Sequence, residues 1–124
     1  MAWELDSDRP IYLQLVERIQ KMIISGYYPA GGRLPSVREL AAEAAVNPNT
    51  MQKAFAELER SGLIMTQRTN GRNVTEDEML IDGIRRELAD EHVVTFFEGM
   101  NELGYTRKEA IDLIEAYEGE EKNE

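Results

Sequence analysis

The sequence predicts a mainly α-helical chain with one small β-hairpin, an α+β class, and three observations carry that reading. Two short amphipathic segments, one opening at Ser36 and one at Asn47-Pro48, have only Ala45 and Val46 between them besides the cap. Short helices joined so briefly cross steeply, as in a helix-turn-helix. After Gly62 the hydrophobic period changes, and two short runs flank Asn70-Gly71, the dipeptide that best supplies the positive φ angles of a two-residue hairpin turn. Two further helical patterns follow. A helix-turn-helix followed directly by a hairpin is a winged helix, so the expected architecture is a winged helix-turn-helix with two C-terminal helices.

Taken in order, Pro10 to Ser25 reads as the first helix. Tyr12, Leu15, Val16, Ile19, Met22 and Ile23 recur at the spacing of one buried face, Pro10 suits a first helical position and Gly26 a stop. Pro29, Gly31 and Gly32 make Tyr27 to Leu34 a loop. Ser36 and Glu39 have capping-box spacing and open a short helix whose apolar face is Leu40, Ala41 and Ala44. Asn47 is an N-cap with Pro48 at the first helical position. The helix that follows runs to about Ser61, lined on one side by Met51, Ala54, Phe55 and Leu58, with Gly62 as its C-cap. Leu63–Thr69 and Arg72–Thr75 are the hairpin strands. Residues 77–103 form a long helix with the apolar stripe Leu80, Ile84, Leu88, Val94, Phe97, Met100 and Leu103, ended by Gly104. Thr106 and Glu109 form another capping box, opening a last helix that carries Ala110, Ile111, Leu113, Ile114 and Tyr117; the acidic end from Glu118 is expected to fray.

Charge divides the chain where the elements do. Of 124 residues, 1–75 hold nine Lys/Arg against eight Asp/Glu, whereas 76–124 hold five against sixteen, so the net charge of −10 sits in the C-terminal part. Two functional parts are expected: 1–75, able to meet a polyanion, and 76–124, an acidic helical region that would repel one. There is no cysteine, which excludes disulfides and thiolate metal sites and suits a reducing cytoplasm. No stretch approaches the roughly 20 apolar residues of a membrane span, and the N-terminus lacks the basic and apolar regions of a signal peptide. A soluble cytoplasmic protein is expected. His92 is the single histidine, and with Glu87, Asp90 and Glu91 it matches no ligand spacing. No nucleophile–base pair or phosphate-binding Gly loop occurs. The sequence therefore calls for no enzyme, no metal and no cofactor.

The run Gly31-Gly32-Arg33-Leu34-Pro35-Ser36-Val37-Arg38-Glu39-Leu40-Ala41 resembles the signature of the GntR family of bacterial regulators. So does its continuation Val46-Asn47-Pro48-Asn49-Thr50-Met51-Gln52-Lys53-Ala54-Phe55, then Leu58 and Gly62-Leu63-Ile64, with Asn70-Gly71-Arg72 in the wing. The resemblance covers about residues 10–75. Fewer than 50 residues follow, too few for the large effector or aminotransferase-like domains of many members. This length resembles the YtrA-type branch, whose short C-terminal helices make the dimer and whose members often repress transporter operons. The pair Asn73-Val74 departs from the usual aromatic-Val at the wing's end; an Asn buries less apolar surface and predicts a looser wing or a shifted register.

With Met51, Ala54, Phe55 and Leu58 turned to the core, Asn49, Thr50, Gln52 and Lys53 face outward at the end of the helix that would enter a major groove. Asn and Gln can read adenine edges; Thr and Lys can bind phosphate. Ser36 caps its helix at an end suited to an anion. Arg38 sits in the first turn, where a cation opposes the helix dipole, and the resemblance implies that it contacts DNA directly. Gln67, Arg68, Asn70, Gly71 and Arg72 would bring the wing to the minor groove. The expected partner is a palindromic double-stranded operator, read by a homodimer, because one recognition helix spans too few base pairs. Leu80, Ile84, Leu88, Phe97, Met100, Ile111, Ile114 and Tyr117 are the expected dimer contacts. Phe96, Phe97, Met100, Tyr105 and Tyr117 could instead line a pocket for a small-molecule effector that the sequence does not identify. The chain's acidity keeps a second function open, a winged-helix protein-interaction module that binds no DNA.

Overall fold

A computed structural model of the chain describes residues 3–67 and 71–119. Its elements are α1 (Ile11–Ile24), α2 (Val37–Ala44), α3 (Pro48–Arg60), β1 (Ile64–Gln67), β2 (Gly71–Val74), α4 (Glu78–Glu102) and α5 (Arg107–Ala116). This is the expected order, mainly helical with one antiparallel two-stranded sheet. The chain forms two compact units, residues 1–85 and 86–124, and the boundary falls within α4.

The first unit is organised around α3. Met51, Ala54, Phe55 and Leu58 are all buried on one face of that helix. Against them pack Leu15, Ile19 and Ile23 of α1 and Leu40, Ala41 and Ala44 of α2, with Leu34, Leu63, Ile64 and Val74 from the loop and hairpin. Ile81 from the start of α4 completes this core, and Ile84 packs against it partly buried. In the expected stripe of α4 it is thus Ile81, not one of the seven chosen positions, that is buried.

The N-terminal segment is fastened to the same unit. Trp3 is buried in the core, its indole N–H donates to Glu43 Oε2 at 3.1 Å, and the Arg18 guanidinium lies over the ring at 4.9 Å. Gln14 is a buried polar residue on α1, and it is fully occupied. Its side chain accepts from Asp6 N at 2.7 Å and donates to Asp6 O at 2.8 Å and Arg9 O at 3.1 Å. Burial pushes the nearby Tyr28 phenol above its ordinary range, and the Glu43 carboxylate and Tyr27 push the same way.

The caps at Ser36, Asn47 and Thr106 are those the sequence encodes, but Pro10 is the N-cap of α1 and not its first helical residue. Ser36 Oγ accepts from Glu39 N at 3.0 Å while Glu39 Oε1 accepts from Ser36 N at 2.9 Å. Thr106 and Glu109 form the same reciprocal pair. The turn between α2 and α3 holds a feature the sequence does not advertise. Ala45 sits at φ +61°, ψ +47°, and its N–H and that of Val46 reach back to Ala42 O and Ala41 O. Left-handed backbone is disfavoured for any residue with a Cβ.

The hairpin corrects the two-residue turn expected at Asn70-Gly71. Strand register pairs Ile64 with Val74, Met65 with Asn73, Thr66 with Arg72 and Gln67 with Gly71. Three residues, 68–70, therefore connect the strands, and Gly71 is a paired position at φ +78°. The shifted register that Asn73 allowed for is not found. Asn73 stays in register, its Nδ2 donates to Gly31 O at 3.2 Å, and it bridges Arg33 on the other edge of β2. Backbone bonds Leu34 N to Arg72 O (2.9 Å) and Val74 N to Gly32 O (2.8 Å) complete that seam. Hydrogen bonding replaces the apolar surface that an aromatic residue would have supplied.

In the second unit Ala110 is the one buried side chain among the described residues. Phe96 and Phe97 meet edge to face at 5.2 Å, and Arg107 lies over Phe97 at 5.3 Å.

Ala45→Gly is expected to stabilise the protein by about 1 kcal/mol, because glycine removes the left-handed penalty at some cost in chain entropy. Urea unfolding followed by far-UV circular dichroism measures this; a destabilised variant would show that the turn is not strained.

Candidate nucleic-acid interface

The outward face of the helix-turn-helix follows from its inward one. Since α3 buries residues 51, 54, 55 and 58, the 3.6-residue period puts Asn49, Gln52 and Lys53 outside, all exposed, with Thr50 half-buried at the edge. Asn47 Oδ1 accepts from Asn49 N at 2.7 Å and fixes the helix entry. Lys53 Nζ rests over the Tyr12 ring of α1 at 3.9 Å, which holds a cation against the first turns of α3 without neutralising it. Arg38 is exposed in the first turn of α2, and among the described residues it makes no ion pair.

The carboxylates of these two helices are engaged elsewhere. Glu39 closes the cap of α2, Glu43 accepts from Trp3, Glu57 pairs with Arg60, and Glu59 pairs with Arg72 at 3.1 Å. No Asp or Glu lies between Asn47 and Ala56. In a chain of net charge −10, the outward face of the first turns of α3 thus carries the amides of Asn49 and Gln52 and the cation of Lys53, while Glu39 and Glu43 stay exposed on α2.

A cleft of about 280 Å³ runs between the start of α2 and the hairpin, lined by Arg33, Leu34, Pro35, Ser36, Glu39, Gly71 and Arg72. It brings together expected site residues from both segments, Ser36 with Gly71 and Arg72. It adds Arg33, an exposed cation that sequence reasoning did not single out. Gln67 and Gly71 are exposed at the last strand pair; Arg68 and Asn70 lie outside the described residues. Arg72 points back toward α3: its guanidinium is 5.2 Å from the Phe55 ring centre and its Nε meets Glu59.

The expected dimer contacts divide by unit. Leu80 lies over Gly62, whose absent Cβ would come within 3.3 Å of it, and Ile84 packs on the first unit's core. In the second unit Leu88, Phe97, Met100 and Ile111 are half-buried while Ile114 and Tyr117 are exposed. Leu103, Tyr105 and Leu113 are exposed as well.

Comparison with known proteins decides what this arrangement belongs to. The family model of bacterial regulatory proteins, gntR family, matches residues 11–74. The helix-turn-helix transcriptional regulator YhcF of Bacillus subtilis is 35% identical over 114 residues, 92% of this chain and 94% of that protein. The chain belongs to the gntR family. Its branch is the YtrA type: the repressor YtrA of Bacillus subtilis is 44% identical over 71 residues, 57% of this chain and 55% of that repressor. A GntR family transcriptional regulator from Listeria monocytogenes superposes with TM-score 0.86 at 38% identity, covering 92% of this chain and all of that one, 100%. The DNA-binding domain of AraR, solved in complex with its operator ORX1, superposes with TM-score 0.52 at 26% identity, covering 60% of this chain and 92% of that one. As a member of a family of DNA-binding regulators, this gntR-type protein is a transcription regulator and not an enzyme.

Ser36→Ala removes one half of the α2 capping box, and we expect it to cost about 1 kcal/mol. Thermal unfolding measures this; a midpoint equal to that of the unaltered protein would show that the cap contributes nothing to the helix.

Proposed function

We propose that this regulator binds a palindromic double-stranded operator as a homodimer and represses a bacterial operon in the cytoplasm, transporter genes being the class its branch suggests. The α3 helix enters the major groove with Asn49 and Gln52 toward base edges and Thr50 and Lys53 toward phosphates. Arg38 and the capped start of α2 meet the backbone, with Arg33 beside them, and the hairpin end carrying Gln67 and Gly71 approaches the minor groove.

The observation that supports this reading best is the disposition of charge. Every carboxylate on α2 and α3 has an intramolecular partner, while Arg38 and Lys53 have no carboxylate partner among the described residues. Phosphate neutralisation needs unspent cations more than it needs a basic chain.

The apolar surface of the second unit supports a dimer through α4 and α5. Leu103 is 74%, Tyr117 78%, Ile114 50% and Leu113 44% exposed. Phe96, Leu113, Ile114 and Tyr117 line one open hollow, a contiguous apolar patch of the kind that marks an interface, and a closed two-fold pair matches operator symmetry. The proposed organisation is therefore a DNA-reading domain over residues 1–75 and a dimerising region over 76–124.

Arg38→Ala is expected to weaken binding to DNA from upstream of the protein's own gene by about tenfold or more and to reduce the salt slope of log K by about one. Titrations at several salt concentrations decide this; tight binding indifferent to salt and to the substitution would remove the proposal. No band shift at low salt by a folded dimer would favour the protein-interaction reading.

A charge placed on the apolar face should separate the copies. Ile114→Asp is expected to sediment as a monomer with its helix content retained while the unaltered protein sediments as a dimer. Equal sedimentation of the two would exclude this face as the interface.

A further inference from the structure

We infer that Glu59 is the positioning residue of the wing and that Arg72 is the strut it holds, not a ligand for phosphate. This rests on the DNA-binding reading above. Thr66 of β1 and Arg72 of β2 stand directly opposite each other in the hairpin register. Glu59 on α3 takes both. Its Oε2 accepts from the Thr66 hydroxyl and, at 3.1 Å, from Arg72 Nε. One carboxylate oxygen therefore clamps a cross-strand pair onto the helix proposed to read the major groove.

A second contact fixes the same guanidinium. It stacks over Phe55 at 5.2 Å, and Phe55 lies one helical turn before Glu59 and is fully buried. The Arg72 and Glu59 side chains are only 21% and 28% exposed. To reach a phosphate, Arg72 would leave both partners and strand the Glu59 charge beside the DNA. On the opposite edge, Asn73 bonds Gly31 O and Leu34 N bonds Arg72 O. The clamped pair sits one step before the last pair, Gln67 with Gly71, so the clamp fixes the far end of the two strands against α3. Arg72 belongs structurally to α3, and the wing's reach is decided by a residue that never touches the nucleic acid.

The test uses Glu59→Ala, Arg72→Ala and the double variant of the full chain. Operator affinity is titrated against salt, hydroxyl-radical footprints are taken, and thermal unfolding is run without DNA. Each single variant is expected to bind about five- to tenfold more weakly, with the salt slope unchanged because no phosphate contact is lost. The double variant should bind no more weakly than the worse single one. Footprints should lose protection at the flanking minor-groove positions and keep it in the major groove, which a general loss of stability would not do. Tightened binding by Glu59→Ala, or a slope reduced by about one in Arg72→Ala, would overturn the inference, since either makes Arg72 a phosphate ligand. If the unaltered protein binds no DNA, the parent reading fails, and the clamp is judged by unfolding alone. Losses of Tm that fall short of additive in the double variant support it, and strictly additive losses reject it.

Discussion

The structure depends on one constraint, the complete burial of the inner face of α3. Met51, Ala54, Phe55 and Leu58 are at most 1% exposed, and they receive α1, α2 and β1 at once. A helix held on that side has one remaining orientation, which leaves Asn49, Gln52 and Lys53 outside. The same burial supplies the platform for the wing, because the ring of Phe55 carries the Arg72 guanidinium and the next turn carries Glu59. Recognition surface and hairpin are therefore both referred to a single helix. The HTH turn reaches that geometry with Ala45 in left-handed backbone, a local cost that the packing on either side of it offsets.

Charge has to be considered by location. The total of −10 argues against a partner made of phosphate, yet the four carboxylates of α2 and α3 are committed to a cap, an indole and two arginines. Glu57 and Glu59 face guanidinium groups that compensate their charge, whereas Glu39 and Glu43 bond neutral N–H groups and keep theirs, and Arg38 and Lys53 have no carboxylate partner among the described residues. The remaining acid lies mostly after residue 75, where in a DNA complex it would favour keeping that region away from the backbone.

The second unit is understood through what it fails to cover. The start of α5 is capped and the unit carries many apolar side chains, but among its described residues one alanine is all that is buried. Helices in proteins draw most of their stability from packing rather than propensity, which is why this apolar surface supports the dimer proposed above. The first unit has no such debt; its core closes on itself with Ile81.

Much was legible in the sequence, and the reason is range. Caps, helix faces and element order arise from contacts three or four residues apart. Ser36 with Glu39, Thr106 with Glu109 and the buried set of α3 therefore follow from spacing alone. The family resemblance added the direction in which that face should be used. What the sequence did not determine spans long separations. Arg72 reaches a carboxylate 13 residues away, Trp3 a partner 40 away and Asn73 one 42 away. Whether an arginine in a hairpin faces solvent or its own domain depends on what lies across from it. Only the packed structure supplies Glu59 there, and with it the difference between a cation offered to DNA and one that holds the wing in place.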